Sequence, residues 1–262
     1  MLAIYRAFFT ASINTQLQYR IGVAIWMIGL VLQPVVSLVV WQTVAGSGTV
    51  HGFTRGDFAA YFLILMIVDH VTFTWIMFEY EFLIRSGQFA VKLLKPVHPI
   101  HNHVADNVTY KLITLVIVVP AYVVLTVLFQ PTFTAGARPF LLFLPALLLA
   151  AVLRFVLEYT LALAAFYTTR VSALNQLYNG VLWLLAGQVA PLALLPGPVR
   201  TVAEVLPFRA MVSFPVELAL GRLDAAATVQ GFLLQIVWLV ATFVLFRVVW
   251  SRGVRVFSAV GT

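Results

Sequence analysis

Residues 109–129 read TYKLITLVIVVPAYVVLTVLF, an apolar run with a single charged side chain, Lys111, near its start. A helix needs about 20 mostly apolar residues to cross a hydrocarbon core of roughly 30 Å, and this run is that long. Working outward, comparable runs occupy 21–45, 58–78, 140–166, 177–195 and 229–250. Each is expected to be helical, because lipid offers no partner for an unpaired backbone amide. The expected fold is therefore an all-α membrane protein with six transmembrane helices in a single domain, 1–262.

Composition agrees. Hydrophobic residues make up 62% of the chain and charged residues 10%, against roughly 25% charged in a soluble domain. The net charge of +7 follows the topology. With the N-terminus cytoplasmic, Arg6, Arg20, Arg85, Lys92, Lys95, Lys111, Arg170, Arg247, Arg252 and Arg255 all fall on one side. Arg55, Arg138, Arg200, Arg209 and Arg222 fall on the other, three of them in one long loop. That bias places both termini inside a bacterial cytoplasmic (inner) membrane and argues against nucleic acid as the partner of the positive charge. No cysteine is present, which excludes disulfides, thiolate metal sites and a cysteine nucleophile.

The segments between the spans are themselves apolar. In 1–20, Leu2, Tyr5, Phe9, Ile13 and Leu17 recur at helical spacing beside a polar row of Arg6, Thr10, Asn14 and Gln18. That pattern predicts an interfacial helix. Residues 84–96 predict a short cytoplasmic helix, with Ser86 placed to cap it and Pro96 to end it. Phe89 and Leu93 share one face of it. The external connection 196–228 carries Pro196, Pro198, Pro207 and Pro215 between short helical runs, and is expected to dip partly back and pack on the protein.

Charged groups inside spans are costly unless paired or wet, so they mark candidate sites. Asp69 and His70 lie in the second span, where they could line a path, relay a proton or fix helix packing. Arg154 and Glu158 are four apart and can neutralise each other on one helix face, with a gating contact as the alternative. Gln33 before Pro34, and Gln188 before Pro191, mark expected bends. His98, His101 and His103 have spacings that could surround a metal, with Asp106 the one acidic neighbour; an ordinary cytoplasmic surface is the expected reading, with no metal. No phosphate-cradling Gly-rich loop followed by Lys and Ser or Thr occurs, so ATP used for work must be bound by another chain.

The order of parts resembles the permease subunits of type-2 ABC transporters. The closest local match, Ser86-Gly87-Gln88-Phe89-Ala90-Val91-Lys92-Leu93-Leu94-Lys95-Pro96-Val97, is similar to a signature of a branch of uncharacterised substrate. Leu206-Pro207-Phe208, with Pro215 and Gly221, resembles that branch's external segment. The resemblance implies that Gly87, Phe89, Leu93, Leu94 and Lys95 form a coupling helix seated on an ABC ATPase. It also implies two ATPase copies carrying ATP and Mg, and a second permease chain, identical or paralogous. The first, second and fifth spans would then line a path for a hydrophobic or amphipathic cargo, and the chain would be no enzyme itself. A proton-coupled secondary transporter using Asp69 and His70 is the alternative, and a metal enzyme built on the histidine cluster is a third reading.

Overall fold

The computed structural model describes residues 2–168 and 171–257, so Arg170, counted above with the inner charges, lies outside the described residues. All regular structure among these residues is helical apart from one isolated bridge between Val50 and Phe53. Helix α1 (Leu2–Gln18) leads through Tyr19 into α2 (Arg20–Ala45). The second apolar run is two helices, α3 (Arg55–Thr72) and α4 (Ile76–Arg85), followed by the short α5 (Phe89–Leu93). Then come α6 (Ile100–Phe129), α7 (Ala137–Ala162) with a 3₁₀ extension Leu163–Phe166, and α8 (Val171–Leu185). Three short helices, α9 (Gly197–Val205), α10 (Pro207–Met211) and α11 (Ser213–Ala219), precede the long α12 (Ala225–Val256).

Among the described residues, five helical stretches are long and apolar enough to cross a membrane: α2, α3 with α4, α6, α7 with its extension, and α12. Burial ranks them. In the α3–α4 stretch 67% of the most apolar window is buried, against 11–17% in α2, α6 and α12, so α3 is the central helix. The other three turn rows of exposed aliphatic side chains outward, for example Val116, Val127, Leu233 and Val237. In water such surfaces would be unstable; in lipid they are the solvent-facing side. Thr54 and Asp57 start α3 with a reciprocal capping box, satisfying backbone donors that the helix cannot.

Two expectations need correcting. The fifth span, expected over 177–195, is not one helix. Residues of α8 cover about 22 Å at 1.5 Å per residue, short of the roughly 30 Å core. The chain leaves the helix at Gly187, which sits at φ +84° with the Tyr61 hydroxyl 2.5 Å from where a Cβ would be. Pro191 then blocks resumption. The second correction concerns 84–96. Helix there is limited to Phe89–Leu93, and Ser86 ends α4 rather than starting α5, its hydroxyl donating to the Leu83 carbonyl.

The 196–228 segment folds onto one end of the bundle. Helix α11 is almost wholly buried against α7 and α3. The Gln235 amide of α12 donates to the carbonyls of Ala146 on α7 (3.0 Å) and Ala210 on α10 (2.9 Å). Trp41 Nε1 donates to the Val189 carbonyl (2.7 Å) and the Tyr61 hydroxyl to that of Gly187 (2.9 Å). Together these bonds close this end of the bundle over the broken α8 segment. At the other end, α1 lies on the start of α6, with the Tyr5 hydroxyl 2.8 Å from His101 Nδ1.

Candidate functional site

A groove of about 1290 Å³ runs between α1, α2, the α3–α4 junction, α6 and α8. It owes its shape to the break in the second span. Residues Phe73–Trp75 are not helical, and non-helical backbone at membrane depth survives where it lines a cavity and finds partners. Here the Asn107 amide of α6 donates to the Phe73 carbonyl at 3.1 Å.

The deep end of the groove is a polar knot built from side chains far apart in sequence. Arg154 on α7 is its centre and is 4% exposed. Its Nε donates to Glu158 Oε1 at 2.8 Å, the expected pair one turn away. Its Nη1 reaches Asp69 Oδ1 at 3.3 Å and Thr72 Oγ1 at 3.0 Å. Asp69 accepts a second bond from Gln188 Nε2 at 2.7 Å. Glu158 accepts from the hydroxyls of Thr74 (2.6 Å) and Tyr178 (3.1 Å). One guanidinium thus faces two carboxylates, and four further donors or acceptors complete the shell. Buried charges persist only in such fully bonded arrangements. The knot staples α7 to α3, to the non-helical junction at Thr74, to α8 and to the turn at Gln188.

Four sequence candidates therefore meet: Asp69, Gln188, Arg154 and Glu158. His70 does not join them. Neighbouring residues on a helix diverge by about 100°, and His70 turns to α6, where Nε2 lies 3.2 Å from the Lys111 carbonyl. A unit made of Asp69 and His70 together is not formed. Gln33 stands on the groove wall of α2, beside the buried Pro34. Thr72, Thr74 and Tyr178 were invisible as candidates because uncharged hydroxyls are unremarkable in an apolar run.

Nearer the α1 end, the wall carries a second polar group, in which His103 and Asp106, weighed above, meet Glu79, which sequence reading missed. Glu79 of α4, His103 and Asp106 of α6 bring one ligand atom each within 4.8 Å of one another, a set that could hold a metal. Lys92 of α5 already supplies a cation there, its Nζ 3.2 Å from Glu79 Oε1 and 3.5 Å from His103 Nε2. The other face of the ring, Nδ1, is 3.2 Å from Glu79 Oε2. His103 is 2% exposed, so the expectation that it belongs to an ordinary surface is corrected. His98 and His101 stand apart from it. His98 packs on Trp250, ring centroids 4.1 Å apart, and its Nδ1 accepts the Ile100 N–H at 3.1 Å. Burial, with His101, Arg247 and His103 adding to it, lowers the His98 pKa below the ordinary histidine value.

Between the two polar groups the wall is aromatic. Trp75 stacks on Phe78 (centroids 4.8 Å) and meets Trp26 of α2 edge-on at 4.7 Å. Trp75 and Phe78 are 42% and 41% exposed, which leaves their faces open to the groove.

The docking candidates divide. Phe89 is fully buried among Tyr80, Phe166, Trp250 and Phe257, and half-buried Leu93 packs on the same core. The face they share points inward, because a large aromatic gains most from burial at a helix junction; Phe89 is corrected from a surface contact to an anchor. Val91, Leu94 and Lys95 point outward, Leu94 being 85% exposed. Gly87, at φ +71°, turns the chain from α4 into α5.

A chain of this form, all helix, with apolar spans, a broken second span and no nucleotide-binding loop, matches one family model, the ABC-2 family transporter protein, over residues 16–261. The chain belongs to the ABC-2 transporter family. It is thus an ABC transporter permease subunit, embedded in a membrane and partnered by an ABC ATPase. No curated protein and no solved structure gives a significant match to this permease.

Proposed function

We propose that this permease is the membrane half of an ATP-driven exporter of amphipathic molecules, favouring those with a cationic centre. The groove carries the reading: it extends from α1, past an aromatic wall, to a charged knot, and bonds at the opposite end close it off. Carboxylates at both polar groups (Asp69, Glu79, Asp106) and open aromatic faces suit a lipophilic cation, which ring quadrupoles attract. With both termini in the cytoplasm of a bacterial cell, the groove opens inward. ATP and Mg are bound by two ATPase copies that seat on the outward face of α5, at Val91, Leu94 and Lys95. Their closure rocks this permease against a second one, identical or paralogous, and opens the closed end.

The test is transport in vesicles holding the permeases and their ATPase, with tetraphenylphosphonium as the probe. Movement that requires hydrolysable ATP supports the reading. Movement driven by an ion gradient with no ATPase present, in excess of that in protein-free vesicles, overturns it.

A further inference from the structure

Helix α5 has two faces, and the inward one is as specific as the outward one. Phe89 and Lys92, three apart, both turn into the protein. Phe89 fills an apolar socket, whereas the Lys92 ammonium reaches the groove wall. There it binds Glu79, the last groove-lining residue of α4, and faces His103, the buried residue that holds the other oxygen of the same carboxylate. The Lys92 side chain is 19% exposed and Glu79 33%, so neither is an ordinary solvated surface pair.

From this juxtaposition we propose that the Lys92–Glu79–His103 bridge is the link that carries movement of the docking segment into the groove wall. Lys92 acts as a positioning residue for Glu79. The bridge rests on the reading that α5 seats the ATPase. Three features support it over a static brace. The bridge joins three different helices, α4, α5 and α6. One end, Glu79, faces the groove. The other end lies on α5, whose exposed residues Val91 and Leu94 form the proposed ATPase seat. Moving α5 by even a few ångströms must pull Glu79 with it or break the ion pair and leave a carboxylate facing the groove without its ammonium. Either outcome alters the charge that a cargo meets, so occupancy of the groove and engagement of the ATPase become one equilibrium.

The experiment is hydrogen–deuterium exchange on the assembled permease–ATPase complex, nucleotide-free against ATP–vanadate trapped. In the unaltered complex, exchange over 76–85 and 89–93 is expected to change together on trapping. Lys92→Met is expected to keep the ATPase bound and the response at 89–93, and to lose the response at 76–85. Lys92→Arg, and the exchanged pair Lys92→Glu with Glu79→Lys, are expected to restore it. Should Lys92→Met prove unstable, Glu79→Gln preserves shape and a hydrogen bond while removing the ion pair, and is expected to give the same loss. A response at 76–85 in Lys92→Met or Glu79→Gln equal to the unaltered complex overturns the bridge alone. A third arm, the permease without ATPase, tests the docking reading: equal exchange at 89–93 with and without the ATPase removes that reading, and the bridge with it.

Discussion

The Gln188 amide donates to the Asp69 carboxylate across 2.7 Å, joining the turn that ends α8 to the last turn of the central helix. Both residues also line the groove, so this bond sits where the groove stops. Asp69 is in turn held by Arg154, and Arg154 by Glu158. The closed end of the permease therefore depends on a few directed bonds between helices whose remaining contacts are apolar and non-directional.

Removing the centre of that knot is costly. Arg154→Met leaves two buried carboxylates with no cation, and breaking a buried pair in this way costs about 3–5 kcal/mol. The expected outcome is a strong loss of monodisperse protein by size-exclusion chromatography. Adding Asp69→Asn and Glu158→Gln to Arg154→Met removes the stranded charge and is expected to recover much of the yield. Equal yields from the single and triple variants would contradict the assignment.

Close packing of α12 on α11 is tested at Gly231. A Cβ there would run into the Phe214 ring, well inside van der Waals contact. Phe214 is 1% exposed and has no free space to retreat into. Gly231→Ala is expected to destabilise the permease by about 1–3 kcal/mol through overpacking. Thermal unfolding in detergent checks this, and Gly231→Ala combined with Phe214→Leu is expected to regain part of the loss.

Cargo recognition is tested at Trp75. If the aromatic wall receives a lipophilic cation, Trp75→Ala removes about 0.5–2 kcal/mol of cation–π attraction. That corresponds to roughly two- to thirtyfold weaker binding of tetraphenylphosphonium by isothermal calorimetry. Trp75→Phe is expected to fall between the two.

A pH effect follows from His98. Its folded pKa is depressed, so between that value and the ordinary one of about 6.5 the unfolded chain binds more protons than the folded chain. Its contribution to stability is complete above the ordinary value and is lost as pH falls through the folded one. Protonation also removes the Nδ1 acceptor of the Ile100 N–H. The drop in melting temperature between pH 7.5 and 5.5 is thus expected to be smaller in His98→Gln than in the unaltered permease.

What was legible in the sequence was each unusual residue singly. Asp69, Arg154, Glu158 and Gln188 stand out because polar groups are costly in apolar runs. Their meeting was not legible, since Asp69 and Gln188 are 119 residues apart and no local pattern sets tertiary contacts. The spans were readable from length and hydropathy, except where Gly187 and Pro191 cut the fifth run short of a crossing. His103 and Asp106 were noticed, but their meeting with Glu79 was not legible, because Glu79 sits just past the apolar window of the second run and on a different helix. Which way Phe89 points was also unreadable: five helical residues are too few for periodicity to choose a face, and the choice came from the aromatic socket that α4, the extension of α7, α12 and Phe257 build.

The most direct measurement uses the absence of cysteine from this chain. Leu94→Cys places one thiol on the outward face of α5, with Ser47→Cys in the exposed loop between α2 and α3 as reference. With the ATPase bound, maleimide labelling at position 94 is expected to slow at least tenfold and a disulfide or short crosslink to the ATPase to form, while position 47 stays unchanged. Equal labelling of position 94 with and without ATPase, in a complex that remains intact, would contradict the seating of the ATPase on α5.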